Sequence, residues 1–246
     1  MIRRILLAAL LVMAAGERHS GYQDASPQVR AMQDDDASNP GFLWIQQGET
    51  LWNERAGSNS CADCHGAATT AMRGVAARYP LFDARLGRPI TLAQRIEQCR
   101  VERQGAAQVL AESDEALALT AYVGLQSRGL PLSVTTGGPT RQFYAAGKAL
   151  FEKRLGQLNL ACAQCHDDRA GERLGGAVIP QGHPNGYPEY RLEWQSMGSL
   201  ELRIRNCMQG VRAEPFAADS LELVELELYL AARANGLAVE TPAVRP

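Results

Sequence analysis

Two cysteines separated by two residues, Cys162 and Cys165, are followed directly by His166. In an exported protein the pattern C-x-x-C-H is the attachment sequence of c-type haem, in which both thiols form thioethers and the imidazole binds the iron. A further cysteine, Cys207, follows later in the chain. We expect its sulfur to bind the other face of that iron, and we expect the chemistry of the protein to take place at this sulfur.

The same arrangement occurs earlier as Cys61, Cys64 and His65, with Cys99 following. The two groups together account for all six cysteines of the chain. Zinc sites with four cysteines also use C-x-x-C pairs, but a histidine placed directly after both pairs has no role in such a site. The sequence therefore predicts two covalently bound haem c groups, with His65 and His166 as iron ligands.

The second axial ligand of each iron has more than one candidate. Methionine is the common distal ligand of small c-type cytochromes, and Met72, Met197 and Met208 are available. A Cys99–Cys207 disulfide is also natural in an oxidising compartment. However, no methionine occupies matching places after the two haem motifs, whereas the two cysteines do. We therefore predict that Cys99 and Cys207 are the distal ligands.

Met1 to about Ala15 is typical of an export signal. Arg3 and Arg4 precede an apolar run, residues 5–12, that is too short to span a bilayer, and small residues follow it. An uncleaved membrane anchor is the alternative. The formal net charge is −2, and removal of the signal makes it more negative, which argues against nucleic acid as a partner. We expect the mature protein in the periplasm.

An internal repeat divides the rest of the chain into two units. Tyr79-Pro80 and Tyr187-Pro188 precede Cys99 and Cys207 at the same separation, and no gap is needed to align the residues between them. Leucine, arginine and isoleucine recur within these stretches, and a Gly-x-x-Leu-aromatic pattern precedes both haem motifs. Self-similarity of this kind indicates a duplicated structural unit.

Each unit is expected to be helical. The closing helix of the second unit is predicted from a capping pattern at residues 219–222 and an apolar stripe of Leu223, Leu226 and Leu230. Its counterpart is expected to begin near Ser113. The predicted class is all-α, with two tandem domains related by duplication. The expected divisions are a signal at 1–15, an extended lead-in at 16–39, domain 1 at 40–130, a linker at 131–139 and domain 2 at 140–246.

Arg203 stands four positions before Cys207, so on a helix the two side chains share a face. A guanidinium there would favour the thiolate form of the cysteine and could bind an oxyanion through paired hydrogen bonds. Pairing with a haem propionate is the alternative. Arg95 has the same position before Cys99, and this repetition by itself favours a structural role.

The tract from Leu192 to Pro215, which includes Arg203 and Cys207, closely resembles the SoxA family, the dihaem subunits of SoxAX cytochromes. The resemblance implies cytochrome c-like domains and L-cysteine S-thiosulfotransferase activity. In this activity thiosulfate is conjugated oxidatively to a cysteine of the carrier SoxYZ, and the electrons pass to haem. It also implies a monohaem SoxX-like partner, a catalytic Cys207 that carries a persulfide, and substrate binding by Arg203. A small cytochrome would accept the electrons.

Two other functions remain open at this stage. A thiosulfate dehydrogenase would join two thiosulfate ions to form tetrathionate and would need no carrier protein. A plain electron-transfer cytochrome with two haems would carry out no bond chemistry.

Overall fold

The structure is a computed structural model that describes residues 17–246, so the predicted export signal lies outside the described residues. It is mostly helical, as predicted. The helices lie in chain order as follows: α1 Gly21–Asp24, α2 Pro27–Asp34, α3 Phe42–Asn53, α4 Cys61–His65, α5 Ala68–Ala71, α6 Leu92–Cys99, α7 Asp114–Leu125, α8 Arg141–Glu152, α9 Cys162–His166, α10 Leu200–Gly210 and α11 Leu221–Arg233.

The strands are only two or three residues long, too short for the sequence to show an alternating pattern. They are β1 Leu81–Asp83, β2 Arg88–Ile90, β3 Arg173–Leu174, β4 Ala177–Val178, β5 Glu189–Arg191, β6 Ser196–Gly198 and β7 Ala243–Arg245. The first four form two antiparallel hairpins. The strands β5 and β6 form a third hairpin, and β7 joins β5 in parallel.

Each repeat is built on a pair of closely packed helices. In the first repeat α3 crosses α7, and a Cβ atom added at Gly48 would lie 2.2 Å from the carbonyl oxygen of Ala118. In the second repeat α8 crosses α11, and a Cβ atom at Gly147 would lie 1.9 Å from the carbonyl oxygen of Glu225. Only glycine permits backbones to approach so closely. This explains the recurring glycine of the Gly-x-x-Leu-aromatic pattern.

The helix that bears the later cysteine of each repeat begins in the same way. In α6 the hydroxyl of Thr91 accepts a hydrogen bond from the Gln94 amide at 3.1 Å. In α10 the hydroxyl of Ser199 accepts one from the Leu202 amide at 3.0 Å. These caps satisfy amide groups that have no partner within the helix. A hairpin, β1–β2 or β5–β6, lies directly before each cap.

Each of the two hairpins, β1–β2 and β5–β6, packs against the helices of the other repeat. Phe82 of β1 packs against Phe143 of α8, with 6.3 Å between ring centroids. The equivalent residue of β5, Tyr190, packs against Trp44 of α3, with 6.0 Å between centroids. Met197 of β6 likewise lies in the core of the first repeat and is 2% exposed. Each repeat thus completes its core with the hairpin of the other.

The closing helices begin where the sequence predicted, but α7 ends at Leu125, before the predicted stop at Gly129, and one predicted cap is absent. The hydroxyl of Ser113 caps α7, and the predicted apolar stripe of α11 is buried. Ser220 stands at the N-cap of α11, but its hydroxyl makes no capping hydrogen bond and has no partner among the described residues. The capping pattern located the start of this helix without forming the predicted bonds.

The described part of the lead-in, residues 17–39, contains two short helices, which corrects the prediction of an extended segment. Ser20 caps α1 and Ser26 caps α2, and both helices are too short to show a helical period in the sequence. Ala25 and Val29 are buried against Val244 of β7, near the opposite end of the chain. This partner is distant in sequence, so no local pattern could indicate it.

The C-terminal residues also hold the segment expected to be the linker. The amide of Leu132 donates to the Leu237 carbonyl, and the amide of Gly236 donates to the Leu132 carbonyl, both at 2.9 Å. Among residues 17–246, no helix is long and apolar enough to cross a membrane.

Candidate functional site

The helix α9 presents the second haem motif on slightly more than one turn. The side-chain oxygen of Gln164 accepts a hydrogen bond from the Ala161 amide at 2.9 Å, which supports the start of the turn. Cys162 packs against a buried cluster that contains Phe151 and Leu226, and Cys165 is half-buried. The turn thus places two thiols and an imidazole at the edge of an apolar core.

His166 is held in a single orientation by its own repeat. Its Nδ1 lies 2.7 Å from the carbonyl oxygen of Pro180, which can only accept, so Nδ1 carries the proton. Gly182, at φ +73°, lies against the ring, where a Cβ atom would be 3.2 Å from Nδ1. Burial lowers the pKa of His166, which favours the neutral ring. The Nε2 atom is therefore the free metal-binding nitrogen.

The first haem motif lies on α4 with different support. Ser60 and Asp63 form a reciprocal capping box at the start of the helix. The side-chain amide of Gln104 donates to the sulfur of Cys61 at 3.2 Å. His65 lies beside the Trp52 ring, at 5.8 Å between centroids. No hydrogen bond comparable to that of His166 holds His65 among the described residues.

The later cysteine of each repeat lies close to its own haem motif. Cys99 is near enough to Cys61 to raise the pKa of that thiol, although burial is the larger cause. Cys207 acts in the same way on Cys162, whose pKa burial raises to about 11. All six cysteines are free thiols in the structure, so Cys99 and Cys207 do not form a disulfide.

The methionine candidates do not form an equivalent pair, although Met72 packs against the same cluster as Cys61. Met197 is in the core of the first repeat, and Met208 is buried on a different side of α10 from its neighbour Cys207. Met72 packs against the same cluster as Met197. The structure thus brings no pair of equivalent methionines to the two haem motifs, whereas it brings Cys99 and Cys207 there.

The donor set of each repeat fits a covalent haem. Two thiols and an imidazole share one helical turn, a third thiol lies nearby on α6 or α10, and apolar side chains adjoin the motif. In the described residues no group of three or more His, Cys, Asp or Glu side chains converges as it would around a bare metal ion.

The two equivalent arginines differ in their partners. In the first repeat Arg95 donates from Nη2 to Asp83 at 2.6 Å and from Nη1 to Gln98 at 2.7 Å. In the second repeat Arg203 is half-buried on α10, one turn before Cys207, and makes no side-chain hydrogen bond within residues 17–246. Its planar fork of donors is therefore available to an anion.

Charged and phenolic groups surround Arg203. Burial lowers the pKa of Arg203, but Cys207, Tyr187 and Glu189 raise it, and the net pKa lies above its ordinary value. Burial and Glu189 raise the pKa of Tyr187 well above its ordinary value, although Arg191 and Arg203 oppose this. Arg203 thus stays charged, and Tyr187 stays a neutral phenol that can donate a hydrogen bond.

Comparison with known proteins agrees with the repeat. The family described as SoxA/TsdA, cytochrome c domain, matches residues 47–132 and 146–239, one match in each repeat. The chain belongs to this family. Membership of a cytochrome c family implies covalently bound haem c, in agreement with the fit of the donor sets.

Several SoxA proteins are similar to the chain over most of its length. It is 41% identical to the L-cysteine S-thiosulfotransferase subunit SoxA of Pseudaminobacter salicylatoxidans over 229 residues, which are 92% of this chain and 80% of that protein. The subunit of the same name from Rhodovulum sulfidophilum is 36% identical over 231 residues, with 93% and 80% covered. The fold also matches the crystal structure of SoxXA from P. pantotrophus with a TM-score of 0.89 and 34% identity, covering 93% of this chain and 87% of that one.

Sequence reasoning missed several residues that shape the site of this SoxA/TsdA family member. The acceptor for His166, Pro180, offers only a backbone atom, and no sequence pattern marks it. Arg233 pairs with Asp167 at 2.6 Å and lies over the Phe151 ring at 4.5 Å, next to the second haem motif. Asp83 and Arg191 occupy equivalent positions of the gapless repeat. The alignment shows this difference in charge, but its importance for the site is evident only from the contacts of the two side chains.

Proposed function

We propose that the chain is the SoxA subunit of an L-cysteine S-thiosulfotransferase that conjugates thiosulfate to a cysteine of a SoxYZ-like carrier. One observation above all supports this proposal. Arg203 shares a helix face with Cys207 and has no carboxylate bonded to it within the described residues. A free guanidinium one turn from a thiol suits a substrate that is both an oxyanion and a sulfur donor.

We propose one haem c in each repeat. Cys61, Cys64, His65 and Cys99 would hold the first, and Cys162, Cys165, His166 and Cys207 would hold the second. When bound, these haems would accept the electrons released by the conjugation one at a time. The more firmly oriented imidazole belongs to the second repeat, where Pro180 accepts from Nδ1 of His166.

In the proposed reaction Arg203 binds the sulfonate oxygens of thiosulfate through its planar fork of donors. The Cys207 thiolate joins the outer sulfur of thiosulfate, forming a Cys207–S–S–sulfonate and releasing two electrons. The carrier thiolate then attacks the sulfur that bears the sulfonate group. The bond to Cys207 breaks, the product is carrier–S–S–sulfonate, and Cys207 departs as a thiolate. Arg203 would balance the negative charge throughout.

We further propose that the resting Cys207 carries a persulfide, which would extend the reactive sulfur beyond the helix without changing this balance of atoms. The exposure of Cys207 supports access by a carrier protein. A SoxX-like monohaem cytochrome is the proposed partner, since the matching crystal structure is of a SoxXA complex. The predicted export signal at residues 1–15 supports a periplasmic location, where a small cytochrome would take the electrons.

The deciding experiment incubates the purified complex with thiosulfate, with and without the reduced carrier. We expect thiosulfate to reduce the haems under both conditions, limited to a single turnover without the carrier. With the carrier present, we expect a carrier mass increase equal to the added thiosulfonate. Tetrathionate formed without carrier would instead identify a thiosulfate dehydrogenase. The absence of thiosulfate-dependent reduction under both conditions would leave a plain electron-transfer cytochrome.

A further inference from the structure

The two repeats can be compared position by position around their arginines. From Tyr79 to Cys99 and from Tyr187 to Cys207 the alignment has no gap. The hairpins also have the same register, because Asp83 lies opposite Arg88 in the first and Arg191 lies opposite Ser196 in the second. Asp83 and Arg191 are therefore the same structural position with opposite charge.

In the first repeat this position neutralises the arginine. Asp83 is buried, with 6% of its side chain exposed, and its Oδ2 accepts from Nη2 of Arg95 at 2.6 Å. Its other oxygen accepts from the amides of Arg85 and Leu86, at 2.8 and 3.0 Å, which fixes the carboxylate. A guanidinium bound to such a carboxylate has lost both charge and donors that an anion would need.

In the second repeat Arg191 occupies this position and does not neutralise the arginine of the helix. Its side chain is 12% exposed, lies over the Trp194 ring at 5.3 Å, and donates from Nη1 to Glu189 at 3.2 Å. Glu189 is buried and is one of the groups whose charge reaches Arg203. Arg191 thus places no carboxylate at the position that Asp83 occupies beside Arg95. It pairs instead with Glu189 and Glu193, the two carboxylates whose charges reach Arg203.

We propose that the exchange of Asp83 for Arg191 determines which repeat binds the anionic substrate. Arg191 is a positioning residue that keeps the fork of Arg203 free of protein carboxylates. The first repeat has the same arginine and the same distal cysteine, but its ion pair prevents anion binding there. This inference rests on the proposed use of Arg203 for thiosulfate, and it adds the reason why only one of two similar repeats would be catalytic.

The test is Arg191→Asp in the holo complex, which installs the carboxylate of the first repeat. We expect KM for thiosulfate to rise roughly ten- to hundredfold, because a hydrogen bond between charged groups must be displaced by the substrate. The value of kcat should change little. Sulfate, a non-reacting oxyanion, should lose its competitive inhibition in parallel, while the haem content and the spectrum of the second haem stay as in the wild type.

Two variants serve as matched controls. Arg191→Lys keeps the positive charge and should leave KM within about threefold of the wild type. Asp83→Asn removes the carboxylate from the first repeat and should leave KM and kcat unchanged. If Arg191→Asp does not incorporate haem, Arg191→Gln replaces it: this variant releases Glu189 toward Arg203 and should raise KM in the same direction.

The outcomes separate this inference from the proposed function. Direct titration of sulfate into the oxidised complex measures anion binding without turnover. If the wild type binds sulfate but transfers nothing to the carrier, the proposed function fails, and loss of sulfate binding in Arg191→Asp still supports the role of Arg191. A folded Arg191→Asp variant with wild-type KM and wild-type sulfate affinity would overturn the inference while the transferase function stands.

Discussion

Cys207 and Cys99 are chemically the same residue in equivalent places, yet the groups around them differ. Cys207 is exposed and lies one turn after an unpaired Arg203, whereas Cys99 is half-buried and lies one turn after an arginine bound to Asp83. A thiolate can act as an iron ligand or as a nucleophile. The surroundings of Cys207 suit both roles, and those of Cys99 suit only the first.

Replacement of Cys207 with methionine separates the two roles. Methionine still offers a sulfur donor to iron, but it has no thiolate and forms no exchangeable S–S bond. We expect Cys207→Met to keep its haem content, folding and partner association and to lose conjugation of thiosulfate to the carrier. Carrier mass and the haem spectra measure these properties. Conjugation at a near wild-type rate would show that Cys207 is only a ligand.

Cys99→Met is the matched substitution in the first repeat. A thioether stabilises ferric iron less than a thiolate does, so the reduction potential of the first haem should rise, as redox titration would measure. Because the arginine one turn before Cys99, Arg95, is bound to Asp83, turnover should survive in large part. Complete loss of activity in a folded variant that retains both haems would contradict this division between the repeats.

Arg203→Lys tests the planar fork rather than the charge. Lysine binds an oxyanion as a point charge and cannot form the two parallel hydrogen bonds of a guanidinium. We expect KM for thiosulfate to rise by about tenfold, with the spectra of both haems near those of the wild type. An altered spectrum of the second haem with unchanged kinetics would instead assign Arg203 to a haem propionate.

At the scale of elements, the crossing of α8 and α11 depends on Gly147. A methyl group there would lie 1.9 Å from the Glu225 carbonyl oxygen, a backbone atom that moves only with its helix. We expect Gly147→Ala to lower the stability of the holoprotein by roughly 1–3 kcal/mol, as overpacking does. Gly176→Ala, where the added carbon meets nothing within 4 Å, is the control and should melt near the wild type. Equal melting temperatures for both variants would refute the close packing.

The elements that the sequence predicted are those specified by local signals. The helices α7 and α11 have polar residues at their N-caps and long apolar stripes, and the haem motifs are contiguous. The helices α1 and α2 were missed because their packing partner, β7, lies at the other end of the chain. The hairpins β1–β2 and β5–β6 were missed because their strands are only three residues long and their contacts, such as Phe82 with Phe143, join different repeats.

The candidate site divides in the same way. The proposed haem-binding residues, together with Cys207 and Arg203, could be named from spacing and repetition. Arg95 differs from Arg203 because Arg95 donates a hydrogen bond to Asp83. Among the described residues, Arg203 has no such bond to Arg191, the residue equivalent to Asp83. Such a difference depends on where a hairpin places one side chain, which spacing alone does not specify.

For the whole molecule, the two repeats meet around a cavity of about 140 Å³. Equivalent residues of both repeats line it, among them Tyr79 and Tyr187, and Thr91 and Ser199. Four carboxyl groups also face this cavity. Glu112 comes from the first repeat, and the second repeat contributes Glu201, Asp219 and Glu227. Arg205 is the charge that opposes this cluster at Glu201. Acidic groups this close cannot all ionise without repulsion.

Protons at this junction should make stability depend on pH. Burial, with Glu201 and Glu112 adding to it, raises the pKa of Glu227 to about 8, and burial raises that of Glu201 to about 7. Each group binds its proton more tightly when folded than when unfolded, so the free energy of unfolding falls as the pH rises above about 4.5 and levels off above about 8. We expect a loss on the order of a few kcal/mol across that range, measured as a falling melting temperature. Glu227→Gln stays neutral and should reduce the fall of the melting temperature with pH. Glu222→Gln, on the exposed side of α11, should not change it. A wild-type melting temperature that rises between pH 5 and 8 would contradict the raised pKa values of Glu227 and Glu201.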